Sequence, residues 1–177
     1  MEKTNQQFDE ITAQCRKIFE KKLTDYGASW RIMRPQSVTD QIYIKANRIR
    51  TLETTGVSKV GDGIQPELSA IINYCIIGLI QLELGFSETS DLQTAQALQL
   101  YDKYITEAKT LLASKNHDYG EAWRQMRVTS YTDLILTKIN RIKEIEEHHG
   151  KTEVSEGVDA NLYDIINYAV FYLIKLN

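Results

Sequence analysis

Proline occurs twice and glycine nine times in the 177 residues, so long loops and chains of tight hairpins are excluded. Cysteine also occurs only twice, too few for a disulfide scaffold. Basic charge is not in excess: 21 Lys and Arg face 24 Asp and Glu, for a net charge of -3. That balance gives no global drive toward nucleic acid and argues against nucleic-acid binding as the main role. The most apolar stretch, Ile71 to Ile80, is about half the length needed to span a bilayer and is flanked by Glu67, Gln81 and Glu83. No membrane association is expected. The N-terminal residues Met1 to Gln7 are polar and lack the apolar centre of a secretory signal. Cys15 and Cys75 fall within apolar stripes and read as small buried side chains, so a reducing, cytoplasmic setting is expected.

What the chain does contain is itself, twice. Asp25-Tyr-Gly-Ala-Ser-Trp-Arg-Ile-Met-Arg34 returns as Asp118-Tyr-Gly-Glu-Ala-Trp-Arg-Gln-Met-Arg127, an offset of 93. The same offset carries Lys45-Ala-Asn-Arg-Ile49 onto Lys138-Ile-Asn-Arg-Ile142. After one inserted residue the offset is 94: Gly56, Val60 and Gly63 fall on Gly150, Val154 and Gly157, and Ile71-Ile-Asn-Tyr74 falls on Ile165-Ile-Asn-Tyr168. Copy 1 occupies residues 1–86 and copy 2 residues 90–177. Two units of this size predict one pseudo-symmetric helical domain.

Each copy reads as three helices with a short helical turn after the first. In helix 1, Phe8, Ile11, Cys15 and Ile18 recur at helical spacing, as do Leu98, Tyr101, Ile105, Ala108 and Leu112 in copy 2. Thr4-x-x-Gln7 and Ser90-x-x-Gln93 read as its capping boxes. Gly27 and Gly120 are expected as left-handed caps that end it. Trp30 and Trp123 follow as packing anchors. Ser37-x-x-Asp40 and Ser130-x-x-Asp133 read as the start of helix 2. Helix 3 runs roughly from Ile64 to Leu84 and from Val158 to Leu176, apolar on most faces and therefore central. Nothing alternates as a strand does. The fold class is all-α.

Polar residues that recur in both copies are the best candidates for chemistry. Lys45 and Arg48, and their counterparts Lys138 and Arg141, lie three apart on one helix face and can hold a phosphate. The alternative is a solvated face, or pairs with acids on a neighbouring helix. Arg31, Arg34, Arg124 and Arg127 stand beside the tryptophans, where they can clamp a base and phosphate or stack on Trp within the fold. Asp118, Tyr119, Trp123 and Arg127, with Asn167 and Tyr168 on helix 3, form the nucleotide-cleft candidates in copy 2. Each also has a structural reading: a secured turn for Asp-Tyr, a hydrogen-bonded core amide for Asn73 and Asn167. Glu156 and Asp164 are eight apart on one helix face and Glu147 ends the preceding helix, so copy 2 can offer a hydrated magnesium ion three carboxylates. Acids in a first turn are also what the helix dipole favours. Copy 1 has Asp62, Pro66 and Ala70 at the equivalent places, an incomplete set, and Glu67 where copy 2 has Asn161.

Asp-Tyr-Gly-x-x-Trp, then Lys-x-x-Arg-Ile, then an acidic start to an apolar helix bearing Asn-Tyr, resembles the nucleotide modification associated domain 1 family of bacteria and phages. The resemblance covers both copies and implies a role near nucleotide or DNA-base metabolism. Of the family's last-helix pattern, Glu-Ser-x-x-Asp-x-x-x-Asp-x-x-Asn-Tyr, copy 2 retains Glu156, Asp164, Asn167 and Tyr168, with Ala160 at the middle acid. Copy 1 retains Asn73 and Tyr74 and falls short of the acidic pattern. A weaker likeness is to all-α nucleotide pyrophosphohydrolases of the MazG type. There Glu-x-x-Glu and Glu-x-x-Asp on successive helices bind magnesium against a triphosphate. Glu144-x-x-Glu147 with Asn161-x-x-Asp164 is one acid short of that set. Such helix pairs usually dimerise, and a tandem chain can build the pseudo-dimer internally; a further homo-oligomer is compatible with this. Together the residues and resemblances imply a nucleotide-binding protein, with a magnesium-dependent phosphohydrolase as the enzymatic form. A non-catalytic interaction module of the same fold is the alternative.

Overall fold

The computed structural model describes residues 1–56, 63–151 and 156–177. Asp62, Val60 and Val154 lie outside the described residues. Six helices account for most of the rest, α1 (Glu2–Tyr26), α2 (Pro35–Thr55), α3 (Ile64–Leu84), α4 (Thr94–Tyr119), α5 (Val128–Glu147) and α6 (Val158–Leu176). The 3-10 turns Ser29–Ile32 and Ala122–Gln125 carry the tryptophans. There is no strand among the described residues. The all-α reading holds, and α3 and α6 have the bounds expected from their apolar runs.

The helix starts differ from the expected caps. Helix 2 begins at Pro35, two residues before Ser37, because proline already has the helical φ and lacks the amide that a first-turn residue would leave unbonded. Likewise α1 begins at Glu2, leaving Thr4 inside the first turn, where its hydroxyl bonds Glu121 rather than a backbone amide. The α4 capping box is made by Gln93 and Gln96, not Ser90. In α1 the buried stripe continues through Phe19 and Leu23, while Ile18 is 40% exposed. Gly27 and Gly120 do end their helices at positive φ, 63° and 60°, but with ψ of -165° and -152°, an extended left-side conformation that only glycine enters readily.

Helices α2, α3, α5 and α6 form the centre: α2 packs on α3, α5 on α6, α3 on α6 and α2 on α5. Helices α1 and α4 pack on each other and on α3 and α6. One continuous cluster of buried apolar side chains draws on all six, from Phe8 and Ile42 to Ile72, Tyr101, Tyr131 and Ile166. Each of these helix–helix pairings has its counterpart when the copies are exchanged, as a two-fold relation would produce. Polar contacts between copies are reciprocal too. Arg16 binds Asp102 with two hydrogen bonds of 2.6 and 2.9 Å, and Lys109 binds Asp9 at 2.7 Å. Those residues exchange under the offset of 93. Thr132 donates to Glu53 at 2.8 Å and Thr39 donates to Glu146 at 3.1 Å, again an exchanged pair. Exposed ion pairs add little stability; what these show is a register set identically from both sides.

Both cysteines are buried and unpaired, and burial pushes the Cys15 thiol up to about 11. Among the described residues only α3 is long and apolar enough to cross a membrane, and most of it is buried against the other helices.

Candidate functional site

In each copy the glycine turn folds the Asp-Tyr-Gly-x-x-Trp segment back toward the last helix. A side chain near that helix's end then clamps the turn. Gln81 donates its amide to the carbonyls of Arg31 and Met33 at 2.9 and 2.6 Å. Lys175, at the equivalent position of copy 2, donates to the carbonyls of Arg124 and Met126. Sequence reasoning missed this pair because the residue types differ; the offset of 94 would have found it.

What surrounds the tryptophan differs between copies. In copy 1 a pocket of about 420 Å³ opens beside Trp30, walled by Phe19, Tyr26, Met33, Tyr74 and Ile77, with Ala70 and Asn73 behind and Lys22 at the edge. In copy 2 the counterpart of Ile77 is Phe171, which stacks flat on Trp123 with ring centroids 4.2 Å apart and planes 7° apart. Arg124 covers the indole at 4.3 Å, and Trp123 is only 5% exposed. The expected Arg–Trp stacking therefore occurs inside copy 2. In copy 1 the corresponding Arg31 is buried and turned to Gln81, the Gly85 carbonyl and Asp91.

The charged residues also settle differently. In copy 1, Arg48 bonds Glu67 at 2.6 Å and Lys45 lies 3.6 Å from its other oxygen. Glu67 is buried, and that second oxygen has no hydrogen-bond partner. In copy 2 the acid is Asp164, one helical turn further along. It is buried and gripped by two lysines, Lys138 at 2.9 Å and Lys115 on α4. Burial works against the charged Lys115. Its bond to Asp164 and the negative charges nearby, Glu156 among them, outweigh that and raise its pKa. Tyr168 is raised by burial and by Asp164, with Lys115 and Arg141 acting against the shift. Lys115, Lys138, Arg141, Glu156, Asp164 and Tyr168 thus share one electrostatic neighbourhood, and Lys115 is the member that sequence reasoning overlooked. Arg141 is exposed and has no ion pair among the described residues.

The remaining candidates disperse. Glu147, the last residue of α5, shares a shallow surface pocket with Asp40, Lys143 and Glu146. Asp118 is exposed beside His117, Tyr119 is 76% exposed, and Arg127 is the exposed residue preceding α5. Asn167 is buried and donates to the Ala108 carbonyl at 3.3 Å, as Asn73 donates to the Cys15 carbonyl at 3.1 Å. Among the described residues no three acidic, His or Cys side chains gather as a metal would require. Both oxygens of Asp164 already face ammonium groups, so the donor set does not fit a resident magnesium ion.

Six helices in two matching sets, with paired but diverged sites beside the tryptophans, define an all-α tandem-repeat protein. The chain belongs to the family of nucleotide modification associated domain 1, whose model matches residues 22–82 and 115–176, one stretch in each copy. Comparison with curated proteins and with solved structures gives no match.

Proposed function

We propose that the protein binds a nucleotide, or a related phosphorylated small molecule, with its phosphate held in copy 2. The observation that carries this reading is the pairing of Lys115 and Lys138 with the buried carboxylate of Asp164, beside a Tyr168 whose electrostatic surroundings include Asp164, Lys115 and Arg141. Three cations outnumber Asp164 and Glu156, so the neighbourhood keeps a positive surplus for an anion. Asp164 fixes the two lysines from within, and Arg141 is left to offer a two-pronged contact to phosphate oxygens. Membership of a nucleotide modification associated family supports the same ligand class.

Calorimetric titration with nucleoside mono-, di- and triphosphates, each with and without magnesium, tests the proposal. Arg141→Ala should weaken binding by about tenfold, the worth of one charge-assisted contact. No heat with any nucleotide, or unchanged affinity in Arg141→Ala, rejects it. The engagement of Lys45 and Arg48 by Glu67 favours a second reading, a non-catalytic interaction module whose repeated charges serve the fold. Under that reading no nucleotide gives heat, no phosphate is released from any nucleoside triphosphate, and Lys45→Ala lowers the melting temperature instead.

A further inference from the structure

We infer that copy 1 carries a second, different site: the pocket beside Trp30 takes a planar, uncharged heteroaromatic ring, such as a nucleobase presented as a free nucleoside. The two copies supply the argument by comparison. In copy 2 the place next to the tryptophan is filled by the chain's own ring, Phe171, stacked in parallel on Trp123 at 4.2 Å. Copy 1 has the smaller Ile77 at that position and Ala70 where copy 2 has Asp164. The pocket these smaller residues help to line has a volume of about 420 Å³, within the usual range for small-molecule pockets. Trp30 makes a tilted contact with Phe19, centroids 6.0 Å apart, instead of a parallel stack.

Its walls suit a flat ring with a polar edge. Tyr26 is 71% exposed at the mouth, and Tyr74 and Trp30 are half-buried, an investment of aromatic surface that a stacked ligand would cover. Asn73 is 8% exposed and lines the pocket. It spends one N–H on the Cys15 carbonyl and one oxygen lone pair on Tyr101, leaving one donor and one acceptor position of its amide. That complement matches the mixed donor and acceptor edge of a base. Among the described residues no carboxylate lines the pocket and Lys22 is its one charged member, so a cationic ring is disfavoured. The site does not rely on phosphate binding in copy 2.

The chain has two tryptophans, so Trp123→Phe leaves Trp30 as sole reporter. Adenosine, guanosine, cytidine and thymidine, all without phosphate, are titrated while indole fluorescence is followed. At least one should give saturable quenching in the wild type and in Trp123→Phe. Ile77→Phe, which installs the copy 2 residue, should weaken that binding by about tenfold or more, as loss of one stacked base would. Should Ile77→Phe fail to fold, Tyr74→Ala at the half-buried wall provides the same reading, with a loss of several-fold. No quenching by any of the four nucleosides up to millimolar concentration overturns the inference, as does unchanged affinity in folded Ile77→Phe or in Tyr74→Ala. Arg141→Ala should leave the quench intact; its disappearance there would put the ring in copy 2 and equally overturn the assignment.

Discussion

Tyr101 of copy 2 donates its hydroxyl to Oδ1 of Asn73 in copy 1 at 2.8 Å, whereas the exchanged partners, Phe8 and Asn167, lack that bond. Phe8 has no hydroxyl, and Oδ1 of Asn167 is buried without a hydrogen-bond partner. Losing a partner for a buried acceptor costs about 1–3 kcal/mol. Tyr101→Phe should therefore destabilise the protein by that amount in urea unfolding. Phe8→Tyr should place a hydroxyl near Asn167 and recover up to about 1 kcal/mol. A Phe8→Tyr variant as destabilised as Tyr101→Phe would show that α1 and α4 do not present these residues equivalently.

The lysine pair on Asp164 yields a second expectation. Asp164→Asn removes the charge that holds Lys115 and Lys138 together, leaving two like charges beside Arg141. Removing one partner of a fully buried ion pair costs about 3–5 kcal/mol. Lys115 is half exposed, so a loss of about 2 kcal/mol is expected here. The double variant Asp164→Asn, Lys138→Met should regain a good part of it. Thermal unfolding of the two variants side by side decides the matter: no recovery in the double variant would mean that the charges were not the cause.

Helices were legible because their signals are local. The apolar runs of α3 and α6 specify their own ends, and the repeated Asp-Tyr-Gly-x-x-Trp segments reveal the duplication without any coordinate. The cap assignments at Ser37 and Thr4 failed because a motif does not say whether its first residue lies before the helix or inside its first turn. Lys45 and Glu67 were both visible, but only the packing of α2 on α3 brings them within 3.6 Å. The pocket was least legible. It arises from a volume difference, Ile77 against Phe171, at a position that carries no polar signal. Attention to matching acids pointed to copy 2; the cavity beside the tryptophan lies in copy 1.

Acid sensitivity should come in part from Glu121. Its bond from Thr4 and its pairing with Arg124 lower its pKa from the ordinary value to about 2. A carboxylate with a lowered folded-state pKa contributes stability above the unfolded pKa, near 4.5, and loses it as pH falls toward about 2. The group is a third exposed, so solvent screening keeps the contribution under about 1 kcal/mol. Glu121→Gln should lower the urea midpoint at pH 7 and lose its difference from wild type near pH 2. An equal difference at both pH values would assign the effect to lost packing rather than to charge.

Glu146 should behave with the opposite sign. It is partly buried where α2 meets α5, and burial raises its pKa, opposed by the bond from Thr39 and by Lys143. A raised carboxylate holds its proton better in the folded state, so its effect is to destabilise as pH rises from the unfolded value through the folded one. Glu146→Gln removes the charge while an amide oxygen can still accept from Thr39. The variant should therefore be more stable than wild type at pH 7, by less than about 1 kcal/mol given the partial exposure. Well below the ordinary value of 4.5, near pH 3, where the side chain is largely protonated in both states, the two should unfold at nearly the same urea concentration. Its counterpart Glu53 accepts from both Thr132 and Tyr172. Glu53→Gln keeps one oxygen for two donors and exchanges a charged acceptor for a neutral one, so it should destabilise at neutral pH. Urea unfolding of both glutamine variants at the two pH values reads the difference, and a stabilised Glu53→Gln would mean that these hydrogen bonds do not repay the burial of the charge.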